Sequence, residues 1–360
     1  MELKRDLPPL LVRADADEAR GTGHVMRCLA LARGWNDRSG RVHFLSCRPN
    51  PTLRRRIQAA GANLVEIGAC HPNTADLHAT VAAVKEAVAT LQPLPWVVVD
   101  GYDFDTAYQN ALRAAGCRLL VIDDNAHLRF YDADVVLNHG IHALKLTYSC
   151  SPETELLLGT AYALLRPEFQ QCVGAARSTA AIARKVLVTL GGSDPGNATQ
   201  KVIEALQRIE ISQLQIRIVV GPVNPHLQTL NRLVSESSRQ IILETAVQDM
   251  SSLMVWADLA VTAAGGTCWE LACLGVPMAH VIVADNQKMI AAELEAMGVS
   301  VNLGWHDEVS TTHIAAVLSE ILRAPSRRAQ MTARGKAIVD GQGVNRVIDV
   351  LLEKSFLRAA

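Results

Sequence analysis

No run of about 18 uninterrupted apolar residues, the length a helix needs to cross a bilayer, occurs in the 360-residue chain. Aromatic residues are only 4%, which leaves little material for the stacking platforms that single-stranded nucleic acid requires. A basic excess is missing too. The 35 Lys+Arg are offset by 36 Asp+Glu, a net charge of −1, and nothing in that balance drives binding to a polyphosphate backbone. The eight cysteines contain no CxxC pair; several fall in apolar stretches, and they are read as reduced and mostly structural. Met1-Glu2-Leu3-Lys4-Arg5-Asp6 and the short apolar run ending at Arg13 have neither the length nor the order of a secretory signal, so a cytoplasmic address is expected.

What is present is a globular composition, 49% hydrophobic and 20% charged, which excludes a largely disordered chain. At roughly 100–200 residues per domain the length favours two domains. Short Val-, Ile- and Leu-rich runs alternate with segments of helical period, the signature of an α/β fold with a parallel sheet covered on both faces. The expected strands are 9–13, 42–46, 63–67, 96–100, 118–122 and 134–137, then 185–190, 215–220, 240–243, 258–262 and 278–283, with early helices starting near His24, Thr52, Asp76 and Asp105. Residues 172–184, small and polar apart from Ile182, read as a linker. This gives domains over 1–171 and 185–340, and a closing helix within 341–360 whose packing partner the periodicity does not identify.

Ligands of open α/β sheets sit at the carboxyl ends of strands, so the residues there are the candidates. Arg13-Ala14-Asp15-Ala16-Asp17 follows the first strand, and Gly21-Thr22-Gly23-His24 leads into a helix. A dinucleotide fingerprint is rejected, because Met26 stands where its third glycine belongs and no acid closes the second strand at Leu45-Ser46-Cys47. Two readings of His24 stay open: a packing or capping residue, or a base kept neutral by the helix dipole and oriented by Asp15 or Asp17. Asp100-Gly101-Tyr102 and Asp123-Asp124-Asn125 end two further strands, as turn residues or as ligand contacts. His139-x-x-His142 has metal-compatible spacing but no third ligand, so no metal site is assigned.

In the second half, Gly191-Gly192-Ser193-Asp194 follows a strand and precedes a helix. That arrangement suits a phosphate, although no Gly-Lys-Ser/Thr of a Walker loop is present. Gly265-Gly266-Thr267 is followed by Glu270, which reads either as a capping box on Thr267 or as a glycine turn on a nucleotide with Glu270 at the ribose. Asn286 and Gln287 supply amides for sugar hydroxyls or N-acetyl groups, or else plain helix-start polarity.

Taken together, RADADEARGTGHVMRCLALA from residue 13, DGY at 100, VIDD at 121, LLLGTAYALLRPEF at 156, TLGGSDPGNAT at 189 and the stretch from 249 to 287 ending in DNQ resemble the PseG family. These are UDP-sugar hydrolases of the pseudaminic acid pathway, built on the GT-B architecture of two Rossmann-like domains facing a cleft. The resemblance runs through most of the chain. It implies hydrolysis of UDP-2,4-diacetamido-2,4,6-trideoxy-β-L-altrose to UDP and free sugar, by anomeric C–O cleavage with inversion, without metal or other cofactor. It makes His24 the base and Glu270 a ribose ligand, with Gly191, Gly192, Ser193, Gly265, Gly266 and Thr267 near the diphosphate. It also makes Arg13, Asp15, Gly21, Gly23, Asp100, Tyr102, Tyr162, Arg166, Asn286 and Gln287 substrate contacts. A monomer that binds a small UDP-sugar, without nucleic acid or membrane insertion, is expected. Asp17, Ala264-Gly265-Gly266 and Asn138-His139-Gly140 depart from the family pattern and bear on which sugar is taken. A GT-B glycosyltransferase and a sugar-nucleotide-binding protein without turnover are the alternatives.

Overall fold

The computed structural model describes residues 7–16, 22–91, 93–174, 177–192, 194–221, 224–245, 247 and 249–357. Asp17, Gly21 and Ser193 therefore lie outside the described residues. The chain folds as two compact units, residues 1–167 with 342–360, and residues 168–341.

The first unit runs β1 (Leu10–Ala14), α1 (Gly23–Asp37), β2 (Val42–Cys47), α2 (Pro51–Ala59), β3 (Asn63–Ile67), α3 (Thr74–Thr90), β4 (Trp96–Asp100), α4 (Thr106–Ala114), β5 (Arg118–Ile122), β6 (Val135–Asn138) and β7 (Glu155–Leu158). Its strands are parallel, in the order β3-β2-β1-β4-β5-β6-β7. β1, β4 and β5 are buried along their whole length, which is why they read as continuous apolar runs. Short polar side chains start the helices between them: Asn50, Asn73 and Asp105 accept from the backbone N–H of Leu53, Ala75 and Tyr108, satisfying donors a helix start leaves open.

α5 (Pro167–Gln171) leads into the second unit, which continues β8 (Lys185–Thr189), α6 (Ala198–Gln207), β9 (Gln215–Val220), α7 (Leu227–Ser235), β10 (Gln240–Thr245), α8 (Met250–Trp256), β11 (Leu259–Ala263), α9 (Thr267–Leu274), β12 (Met278–Ile282), α10 (Lys288–Ala296), β13 (Ser300–Trp305), α11 (Thr311–Arg323) and α12 (Pro325–Ile338). Its six parallel strands are ordered β10-β9-β8-β11-β12-β13. In each sheet the order reverses once, between β1 and β4 and between β8 and β11. Such switch points open a crevice at the carboxyl ends of the two strands.

Four outcomes differ from the sequence reading or complete it. The last helix, α13 (Gly343–Leu357), belongs to the first unit: Val347, Ile348 and Leu351 join the core with Leu31 and Trp35, and the Trp96 indole N–H donates to Leu351 and Ser355. The stretch 172–184, read as a linker, lies within the second unit, where Ala183 N donates to Leu322 O at 2.9 Å and Arg328 donates to Ala180 O. Strands β7 and β13 were not anticipated. β7 is a short edge strand of four residues, and β13, Ser300–Trp305, interrupts its apolar residues with Asn302 and Gly304 and pairs with β12 through a register shift between His280 and Val281. Finally, the reading of all cysteines as reduced is corrected. Cys47 and Cys70 form a disulfide, Cα–Cα 5.2 Å, because the β2–β3 register pairs Cys47 with Ile67 and brings the chain just beyond Ile67 back to Cys47.

Candidate functional site

The switch point of the first unit assembles a cluster of ionisable groups. β1 and β4 are neighbours, with Ala14 opposite Asp100, so the start of α1 and the end of β4 meet there. His24 Nδ1 lies 2.7 Å from Asp100 Oδ1. One turn along α1, on the same face as an i, i+3 neighbour, Arg27 makes a side-on fork to Asp100, Nε to Oδ2 and Nη2 to Oδ1, both 2.7 Å. Its outer edge reaches Asp124 after β5, Nη1 to Oδ1 at 2.7 Å and Nη2 to Oδ2 at 3.1 Å. Tyr102 donates its hydroxyl to Asp124 Oδ2 at 2.9 Å and stands edge-on to the His24 ring, centroids 4.9 Å apart. His139 Nε2 faces Arg27 Nη1 at 3.3 Å.

The tautomer of His24 follows from counting hydrogens. Arg27 has five N–H donors. Asp100 takes one from Nε and one from Nη2, and Asp124 takes one from Nη1 and the other from Nη2, which uses both hydrogens of Nη2. None is left for His24 Nδ1, 3.1 Å from Nη2, so Nδ1 carries its own proton and donates it to Asp100. The lone pair is then on Nε2, and the ring is 11% exposed. A carboxylate behind a partly buried imidazole is the arrangement that orients a base and stabilises the imidazolium it forms.

Charge holds the cluster in this state. Burial by itself would raise the Asp100 carboxyl, but Arg27 and His24 overrule it and keep it well below the ordinary range. Asp124 behaves alike: burial pushes up, Arg27 pulls down more strongly, and the group sits at about 2. Burial and the Arg27 charge lower His139 to about 4, so it is neutral at pH 7. Burial raises Cys28, which touches Asp100 at 3.4 Å, well above the ordinary thiol range; it is no nucleophile.

Other expected contacts of this unit fall elsewhere. Arg13 is fully buried and its fork is held by Asp15, at 2.6 and 2.7 Å, and by Asp76; Asp76 also accepts from Tyr108, and Asp15 from Cys47 N. These charges knit β1 to β2 and α3, so a buried ion network, not an open substrate contact, is what Arg13 and Asp15 form here. Asp123 is likewise internal, accepting from Tyr131, Tyr148 and the Asn125 and Ala126 N–H groups. His142 Nε2 faces Asp124 O at 3.0 Å, a different partner from that of His139. Gly23 opens α1, Tyr162 packs half-buried against the core, and Arg166 is half-buried in the segment that follows.

At the switch point of the second unit, Gly191 and Gly192 follow β8, and Gly265 and Gly266 follow β11. No described atom lies within 4 Å of where a side chain would begin at any of these four, so their backbone is open to an approaching group. Gly221, in contrast, is pressed on Gly192, whose carbonyl oxygen would be 1.9 Å from a Cβ there. The start of α6 is closed to a phosphate: Asp194 Oδ1 and Oδ2 accept from Ala198 N and Thr199 N at 2.9 and 2.8 Å, which puts a carboxylate where an anion would sit. The start of α9 is not a capping box, since Gly266 holds the cap position without a side-chain cap and Thr267 is already helical. That leaves Glu270 in the first helical turn beside the glycine pair. Asn286 is exposed, whereas the Gln287 side chain accepts from Val283 N at 3.0 Å and braces the end of β12.

Residues 186–343 match the glycosyltransferase family 28 C-terminal domain. The chain has the GT-B fold. Its fold is that of MurG from Acinetobacter baumannii, with a TM-score of 0.64 over 96% of this chain and all of that one (100%), at 15% identity. Among curated proteins it is 28% identical to the spore coat polysaccharide biosynthesis protein SpsG of Bacillus subtilis over 61% of its own length; the match spans 64% of SpsG, less than two thirds. It is 22% identical to the UDP-2,4-diacetamido-2,4,6-trideoxy-beta-L-altropyranose hydrolase of Campylobacter jejuni, over 81% of this chain and 98% of that protein. The family 28 match covers the glycine loops but not His24, whose surroundings rest on the first unit alone. Sequence reasoning gives Arg27 no role of its own, and reads Asp124 as a turn residue or a ligand contact and not as the partner of Arg27. The signal for Arg27 was its place three residues after His24; for Asp124 none existed beyond a strand-end acid.

Proposed function

We propose that this protein hydrolyses a UDP-linked amino sugar to UDP and the free sugar, with His24 as general base. The observation that carries this reading is the His24–Asp100 pair, which leaves Nε2 as an oriented proton acceptor on a ring that is 11% exposed. His24 Nε2 takes a proton from water while the water oxygen bonds to the anomeric carbon. The bond from that carbon to the diphosphate oxygen breaks, its electron pair leaves with UDP, and the configuration inverts. Asp100 steadies the imidazolium, which returns its proton to solvent.

In the second unit the open backbone at Gly191, Gly192, Gly265 and Gly266 is assigned to the diphosphate and Glu270 to the ribose. Backbone N–H groups aimed at a leaving group stabilise its growing charge. The diacetamido-trideoxy sugar of the C. jejuni relative's name is the substrate to try first. Tyr102, beside His24, is assigned to its positioning.

The test is UDP release from purified protein and UDP-sugar in H₂¹⁸O with no acceptor. Label in the sugar, with none in UDP, and a rate unchanged by chelator support the reading. Turnover only after an acceptor is added makes the protein a transferase, and tight binding without turnover makes it a binding protein.

A further inference from the structure

The Cys47–Cys70 disulfide reaches the candidate site along two arms that meet at Phe104. On one arm, Cys47 ends β2 and its backbone N–H donates to Asp15 Oδ1 at 2.7 Å. Asp15 holds the Arg13 guanidinium, whose carbon stands 5.0 Å from the centre of the Phe104 ring. On the other arm, His71 follows Cys70 and packs on Phe104 and Tyr108, with ring centroids 5.2 and 4.9 Å away. Phe104 supports the turn after β4: its N–H donates to Gly101 O at 3.4 Å, and its ring lies 3.0 Å from where a Cβ on Gly101 would stand. That turn joins Asp100 to Tyr102, the ring that stands edge-on to His24.

The two halves of the bond differ in access. Cys47 is 4% exposed, whereas Cys70 is exposed, as are Gly68, Pro72 and Asn73 around it. A segment that buries so little opens at low cost once a covalent tie is removed. The apolar clusters around Leu31 and around Val99 include neither cysteine, so the sheet beneath does not depend on the tie.

We propose that the Cys47–Cys70 bond is a redox latch on the first unit: oxidised, it holds His71 against Phe104 and thereby Tyr102 beside His24, and reduced, it frees the turn while the sheet stays folded. The reaction is thiol–disulfide exchange with a dithiol. One thiolate of the dithiol attacks the exposed Cys70 sulfur, the S–S bond breaks, and its electron pair leaves on Cys47, which takes up a proton. The second thiolate then closes the dithiol's own disulfide and expels Cys70, which is protonated in turn. Two electrons and two protons have passed to the protein, and the dithiol leaves oxidised. The effect on turnover rests on the hydrolase reading, but the latch itself belongs to the free protein and is measured without substrate. The glycine loops assigned to UDP lie in the other unit, which the bond does not enter.

The experiment compares oxidised full-length protein with the same protein treated with dithiothreitol, for which this bond is the one target, the other six cysteines being free already. Reduction should speed backbone hydrogen exchange in peptides covering 68–73 and 100–105 and leave the circular dichroism and the affinity for UDP unchanged. It should lower kcat/KM for the UDP-sugar roughly 10-fold, within the range that misplacing a positioning group costs. Cys70→Ser should behave like the reduced wild type and ignore dithiothreitol. His71→Ala, which keeps the bond, should loosen 100–105 even when oxidised. Equal exchange of 100–105 in the oxidised and reduced wild type overturns the proposal, and so does a response to dithiothreitol that persists in Cys70→Ser. Unfolding of the wild type on reduction also overturns it, since the bond would then be a staple of the fold. If exchange responds as expected while the oxidised wild type releases no UDP, the hydrolase reading fails and the latch stands.

Discussion

His24 Nδ1 and Asp100 Oδ1 lie 2.7 Å apart although 76 residues separate them. The contact is a product of parallel topology. β1 must cross over through α1 before the chain can return, and β4 lands on the open side of β1, opposite Ala14 in register with Asp100. A helix start and a strand end are thereby pinned to one crevice. The carboxylate chooses the protonated nitrogen, and the other nitrogen becomes the reactive one.

Replacing His24 by Ala or Asn should preserve substrate binding and slow UDP release by roughly 10²–10⁴, the usual loss for a positioned proton acceptor. A folded His24→Asn protein with near-normal turnover would remove the base from the mechanism.

UDP alone should bind and raise the melting temperature with no metal added, through ligand linkage. In calorimetry, Glu270→Ala should weaken that binding about 10-fold or more, the scale of a hydrogen bond to a charged group. Undiminished UDP affinity would take Glu270 away from the ribose.

Gly221→Ala should disturb the glycine loop after β8, because a Cβ would stand 1.9 Å from the Gly192 carbonyl oxygen and backbone cannot yield as a flexible side chain does. The expected result is a loss of stability of a few kcal/mol, in the range of overpacked sites, together with weaker UDP binding. Thermal melts with and without UDP separate the two effects, and wild-type behaviour in both would contradict the close approach.

Stability should decline as pH falls from about 6.5 to about 4. Burial lowers His139, with Arg27 adding to it, to about 4, and burial lowers His280 to about 4 against a small pull from the Ala291 backbone. Between those limits the unfolded chain binds protons that the folded chain refuses, so unfolding gains as pH drops. Asp124 acts lower down: its folded value of about 2 gives stability that is complete above about 4 and lost as pH falls toward 2. Urea denaturation from pH 7 to 4 should show the slope, and His280→Leu should reduce it. An unchanged slope in that variant would count against a neutral, buried His280.

Thiol titration of the unfolded, unreduced protein should find six of the eight cysteines reactive, Cys47 and Cys70 being joined. Reduction should release the other two. Eight reactive thiols before reduction would contradict the pairing.

Much of the architecture follows from the sequence by itself. Strands such as Trp96–Asp100 and Leu259–Ala263 are buried on both faces, so their apolar runs announce a covered parallel sheet, and the residues just past them are then candidates by position alone. His24, Asp100, Tyr102 and the glycine pairs are candidates by that position. The identity of the carboxylate behind His24 is not given by it, because Asp15 and Asp17 are closer in sequence and strand order is invisible in a linear pattern. Tertiary structure turned Asp15 inward to Arg13 and put Asp100 at the imidazole. Asp123 and Asp124 are adjacent and chemically identical, yet one is bound by Tyr131 and Tyr148 and the other by Arg27 and Tyr102. Alternation along the chain end past β5 separates them, and only the packed neighbours of each decide which is scaffold and which is site. Cys47 and Cys70 illustrate the same limit: 23 residues apart, they are joined by the register of β2 on β3, a long-range pairing set by the whole sheet and not by either segment.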